Sequence, residues 1–172
     1  MKLSDGEKLI LLALADQKDG KEEIDLDFIR SAIFNGHSWA LSWQYPGIAT
    51  EETEESIVKE TADILGMWSY IEHSVKKLPS AEQDQLAKNA HPYDLTFSGF
   101  DGNHDKHHSV ASFLINNMDR FSEFKGRSLN SHSQMSLPSY RRMLPAYNEE
   151  VQKAGFGGRS LTAESIEKII KG

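Results

Sequence analysis

The clearest pattern in the chain is an apolar stripe whose positions are spaced alternately four and three residues apart. This spacing returns to one side of an α-helix at every turn, whereas a strand would alternate every second residue. Acidic residues precede the stripe, and Lys76 and Lys77 come at its end, an order that suits the helix dipole. The pattern predicts one long central helix over about residues 50–78, with a buried stripe of Ile57, Thr61, Ile64, Trp68, Ile71, Val75 and Leu78.

Shorter helical patterns precede this central helix. Ser4 and Glu7 have the spacing of a capping box, in which each side chain can bond the backbone N–H of the other. The apolar run from Leu9 to Leu14 follows, and we expect it to enter the core. A second helix is expected from about residue 25 to residue 35, where Asn-Gly supplies a residue suited to the left-handed conformation that ends many helices.

The second half of the chain continues in helices. A polar helix is expected over residues 81–89, and because Leu86 is its one large apolar residue we expect it outside the core. Asp101 has an N-cap side chain, which predicts a helix from there to about Phe121. Two further helices are expected after residue 137 and after Thr162. The segment near residues 95–98 lacks a helical period and is the one place where a short extended stretch is expected.

These elements predict an all-α protein in which six to eight helices surround the central one, in a single domain over residues 1–172. The chain has no cysteine, so thiol chemistry and disulfides are excluded and any metal would bind through His, Asp or Glu. Its net charge of −7 argues against general affinity for nucleic acid. The longest apolar run near the start has only seven residues, which is too short for a membrane span and favours a cytoplasmic protein.

Five short segments follow one another along nearly the whole chain: Lys8-Leu9-Ile10-Leu11, Glu51-Glu52-Thr53, Leu95-Thr96-Phe97-Ser98-Gly99-Phe100-Asp101, Arg142-Met143-Leu144 and Leu161-Thr162-Ala163-Glu164-Ser165-Ile166. Together they resemble the bacterial YfbU family. The resemblance implies a small, predominantly helical fold without an established biochemical activity, so no catalytic residue and no cofactor are carried over. Some relatives place a helix-turn-helix segment before the domain, which hints at a regulatory setting.

Candidate chemistry is concentrated in one histidine cluster. On a helix, His104 would share a face with His107 and His108, a spacing that can bring imidazoles onto one divalent metal. Asp101 or His73 would have to supply a further ligand. A solvated first helical turn is the simpler interpretation, because no recognised zinc motif is present. The neighbouring pair His104-Asp105 also keeps open the alternative of a metal-dependent hydrolase that uses a His/Asp cluster.

An aromatic stretch suggests a different role. Trp39 and Trp43 lie one helical turn apart and Tyr45 follows, so these side chains fill a core or form an apolar patch at which subunits meet. The regular stripe of the central helix, with Trp68 at its middle, adds to the second possibility because it suits a long neighbouring helix. The leading hypothesis is therefore a non-enzymatic cytoplasmic protein that acts through protein contacts as a homo-oligomer. A DNA-binding regulator would need a basic helix, which the sequence lacks.

Overall fold

The computed structural model of the protein describes residues 4–19, 24–37, 39–48, 53–89, 95–132, 135–154 and 160–171. Within these ranges the chain forms eight α-helices, one 3₁₀ helix and no strand, which confirms the predicted all-α class. No helix in the described ranges is long and apolar enough to cross a bilayer. The contacts divide the chain into two compact units, Met1–Glu52 and Thr53–Gly172, which are described in turn. The prediction of a single domain over residues 1–172 stays a prediction.

The first unit contains three helices: α1 (Asp5–Asp19), α2 (Leu26–Phe34) and α3 (Trp39–Gln44). The capping box before α1 is confirmed, because the backbone N–H of Ser4 donates to Glu7 Oε2 over 2.8 Å and the Glu7 N–H donates to Ser4 Oγ over 3.4 Å. Asp25 caps α2 by accepting the N–H of Phe28 over 2.9 Å.

The expectation that the apolar run of α1 enters a core is wrong. Four of its large apolar side chains are each more than two-fifths exposed. Among the described residues of the first unit, the buried apolar ones are Ala32 and Ile48. An amphipathic period indicates only that one face of a helix needs a partner, and it does not say whether that partner lies within the same chain. The exposed side chains of α1 are Ile10, Leu11, Leu12 and Leu14.

The second unit is organised by α4 (Glu55–Lys77), which confirms the predicted long central helix. It packs against α6 (Lys106–Asn116) and α7 (Ser136–Ala154), and α7 packs against α8 (Ala163–Lys171). The buried face is wider than the predicted stripe, because Leu65 and Met67 are fully buried beside it. The members of the stripe that are buried are Thr61, Ile64, Trp68 and Ile71.

The polar helix α5 (Ser80–Asn89) was expected outside the core, and this is wrong for its central residue. Leu86 is almost completely buried and belongs to the hydrophobic core, since α5 packs on α8. One large side chain is enough to attach a short polar helix when the facing helix presents Ile166 and Ile169.

The segment before α6 also differs from the prediction. The helix begins at Lys106 with Asp105 at the N-cap position, and it ends at Asn116 rather than near Phe121. Residues 95–98 form no strand, although an isolated bridge joins Phe100 to Asn130. Past α6, left-handed backbone at Asp119 and Phe121 leads into the 3₁₀ helix Ser122–Phe124.

Candidate interaction surface and histidine cluster

The histidine cluster begins in the loop before α6, where two chain segments pass very close together. The Phe100 N–H donates to the carbonyl of Leu129 and the Ser131 N–H donates to the carbonyl of Phe100, each over 2.9 Å. Gly99 permits this approach, because its φ is +87° and a Cβ there would overlap the Leu129 carbonyl. The crossing fixes the position of Asp101, the next residue along the loop.

Asp101 holds His104 rather than capping a helix. Its buried carboxylate accepts the Asn103 N–H over 2.9 Å and is joined to His104 Nδ1 over 2.7 Å. Both hydrogen bonds lower the pKa of Asp101, and the one from the Asn103 backbone has the larger effect. Asp101 thus occupies Nδ1 of His104, while most of the His104 side chain stays exposed to solvent. The prediction of Asp101 as the N-cap of α6 is therefore wrong.

His107 is buried and belongs to a separate network. Its Nε2 is 2.7 Å from Glu60 Oε2, and the ring packs 5.6 Å from that of Phe100. Arg141 binds the same carboxylate in a bidentate manner, with Nε 2.7 Å from Oε1 and Nη2 2.8 Å from Oε2. The hydrogen bond from Arg141, followed by that from His107, lowers the pKa of Glu60 to about 2. This network ties α4, α6 and α7 together.

The predicted convergence of the histidines on a metal is not found. His104 precedes α6, so it does not share a helical face with His107 and His108, and each of the first two is bonded to a different carboxylate. His73 is exposed on α4. Across the ranges that the structure describes, no group of three or more His, Asp or Glu side chains is placed to hold a metal ion. The hydrolase alternative therefore has no ligand set in those ranges.

The predicted interface tryptophans lie on the surface of the first unit. Trp39 is 58% exposed and Trp43 is 80% exposed, and their rings meet edge to face with centroids 5.4 Å apart. No residue of α3 is buried. The helical period of α2 predicts Ile33 on its buried face, and this is wrong, because Ile33 is 59% exposed. Phe34, the last residue of α2, was not among the interface candidates and is 83% exposed. We refer to the exposed side chains of Ile33, Phe34, Trp39 and Trp43 as the aromatic surface.

The other two interface candidates have structural positions. The Tyr45 hydroxyl accepts the backbone N–H of Asp25 over 2.9 Å, and its ring packs edge to face on Phe28, so Tyr45 joins the end of α3 to the start of α2. Trp68 is 2% exposed and packs against Phe97 and Tyr140. The proposal of Trp68 as an interface residue is corrected, because its side chain belongs to the core of the second unit.

Comparison with known proteins gives one match that spans the chain. A family model described as the YfbU domain matches residues 1–172. The chain belongs to the YfbU family. No curated protein matches it. The YfbU domain has no established function, so the resemblance seen in the sequence is confirmed and an activity does not come with it.

The segments that carry the family resemblance have structural roles in this YfbU domain. Phe97 and Phe100 are buried in the aromatic core, and Met143 is buried on α7. The Leu161 N–H donates to the buried Ser74 hydroxyl over 3.0 Å, which joins the start of the α8 segment to α4. Thr162 then caps α8 by accepting the Ser165 N–H over 3.2 Å. Three of the five matching segments thus help to build the fold of the second unit.

Proposed function

We propose that this protein is a non-enzymatic, cytoplasmic member of the YfbU family that acts through protein contacts made by its first unit, and that it works as a homo-oligomer. The aromatic surface carries the proposal. Isolated exposed apolar residues are ordinary in proteins, whereas clustered aromatic rings are typical of protein interfaces. Regulation through such contacts is part of the proposal.

The two units differ in a way that supports this function. The second unit encloses a core of aromatic and aliphatic side chains that includes Trp68, Phe100 and Phe124. The first unit buries few apolar residues and exposes many, on α1 as well as on the aromatic surface. Burying apolar area is the main source of stability in protein association. A contact at the first unit therefore offers more of this stabilisation than a contact at the second.

Photo-crosslinking in cells tests the proposal. The photoreactive residue p-benzoylphenylalanine replaces Trp43 in one variant and Phe113 in a matched control. Phe113 is 57% exposed on α6 of the second unit, so the comparison keeps the photoreactive group at an exposed aromatic position and changes the unit that carries it. We expect discrete crosslinked species from position 43 and only background from position 113. Equal, diffuse labelling from both positions would contradict a function based on contacts of the first unit.

A further inference from the structure

We infer that the occupant of the aromatic surface is a second copy of this chain, held in a two-fold symmetric contact in which Trp39 and Trp43 of each copy lie at the centre. This inference rests on the proposed function and names its first partner and its contact residues. In a two-fold contact the same patch is used on both sides, so the patch must be complementary to itself. Three properties of the surface favour a contact between two copies of the chain.

The first property is the absence of charge. Residues 31–50 contain no Asp, Glu, Lys or Arg, although 26% of the whole chain is charged. The rest of the first unit is acidic, since residues 1–52 hold ten acidic and five basic residues. Two copies that met through acidic parts would bring like charges together. The uncharged segment is where two copies meet without that penalty, whereas a basic partner would be recognised by the acidic remainder of the unit.

The second property is the available area. A whole aromatic side chain presents roughly 200 Å². At exposures of 83%, 58% and 80%, Phe34, Trp39 and Trp43 together leave about 440 Å² uncovered. A stable interface of ordinary size needs about 800 Å² from each partner, with aromatic residues enriched at its centre. Three side chains thus provide about half of that area, and Ile33, which is 59% exposed, adds to it.

The third property is that two polar side chains in this segment already have hydrogen-bond partners. The Ser42 hydroxyl, between the two tryptophans in sequence, donates to the Trp39 carbonyl over 2.8 Å. The Asn35 amide donates to the Ser31 carbonyl over 2.8 Å. Covering a polar group is costly when its hydrogen bonds to water are not replaced. These groups keep their hydrogen bonds when a partner covers them, so the segment is suited to an apolar contact.

Light scattering coupled to size-exclusion chromatography tests this inference on the purified full chain. The wild type is expected to show twice the chain mass of 19.4 kDa at high micromolar concentration and to dissociate on dilution. Trp39→Ser/Trp43→Ser should remain at one chain mass throughout the same range. Phe113→Ser, the matched control on the second unit, should behave as the wild type. Trp43→Phe keeps an aromatic ring and should retain the dimer.

Circular dichroism is the check on folding. The helical content of each variant should match that of the wild type, because neither tryptophan is buried. A wild type that stays at one chain mass, or a dimer unaffected by the double substitution, overturns the inference. The crosslinking result separates this failure from that of the proposed function. A monomeric chain that still crosslinks from position 43 to other proteins keeps the contact function of the first unit and loses both the homo-oligomer and the second copy as partner. A monomeric chain without such crosslinks loses both.

Discussion

Replacing Glu60 by Gln is the sharpest test of how the second unit is held together. The substitution keeps the shape of the side chain and removes the charge that both Arg141 and His107 bind. Gln can accept from one of these partners, but its amide NH₂ group cannot accept from the other. The buried His107 and the guanidinium therefore compete for one oxygen, and one of them loses its strong acceptor.

The pKa of Glu60 sets the size of the expected effect. A decrease from the ordinary value of 4.5 to about 2 corresponds to at most about 3 kcal/mol. Half of the Arg141 side chain is exposed, so solvent screening reduces this contribution to about 1–2 kcal/mol. Because the folded pKa lies below the unfolded one, this stabilisation is complete above pH 4.5 and is lost as the pH falls towards 2.

Urea unfolding followed by circular dichroism measures the difference between wild type and Glu60→Gln at pH 7 and at pH 3. At pH 7 the unfolding midpoint should fall by roughly 0.5–1 M, taking a slope of about 2 kcal/mol per molar urea. At pH 3 the difference should be smaller. Asp63→Asn, one turn further along α4 at an exposed position, is the matched control and should change the midpoint little at either pH. Equal effects of the two substitutions, or a difference that does not shrink in acid, would refute the reasoning.

The second unit offers three further tests, two of its packing and one of metal binding. Gly99→Ala should lower the free energy of unfolding by about 3 kcal/mol in thermal unfolding, because the added Cβ meets a backbone carbonyl. Gly126 also has a positive φ but no neighbour within 4 Å, so Gly126→Ala should cost about 1 kcal/mol. Similar losses of stability in the two variants would argue against a tight crossing at Gly99. Leu86→Ala should cost about 2–4 kcal/mol by urea unfolding, and a loss below 0.5 kcal/mol would place the residue outside the core. Zinc titration by calorimetry should give equally weak binding for wild type and His104→Ala/His107→Ala, and much tighter binding by the wild type would restore the metal hypothesis.

The sequence predicted the helices that depend on local patterns. The central helix was identified because its apolar period persists for three heptads, and Ser4 caps α1 as its spacing to Glu7 indicated. The start of α6 was misplaced for an equally local reason. Asp101 accepts the N–H of the residue two positions on, a turn that uses the same side-chain chemistry as a helix cap. Residue type alone does not distinguish the two.

The candidate site was predictable only in its parts. Glu60 and Arg141 are 81 residues apart, and neither has a sequence feature that marks it as the partner of the other. Their ion pair depends on how α4 and α7 pack, which is a non-local property. The same holds for Leu86, whose burial requires α8. The tryptophans on α3 were recognised as candidates, and the decision between core and surface came from the structure.

Burial separates two apolar patterns that look alike in the sequence. The stripe on α4 is covered because α6 and α7 lie against it, and Ile64 and Ile71 are fully enclosed there. The apolar positions on α1 and α3 have no such cover in the described part of the first unit. The free energy gained by covering an apolar side chain depends on the area removed from water, whichever chain supplies the cover. An apolar face that its own unit leaves open therefore provides the driving force for association, which is why the contact is expected at the first unit.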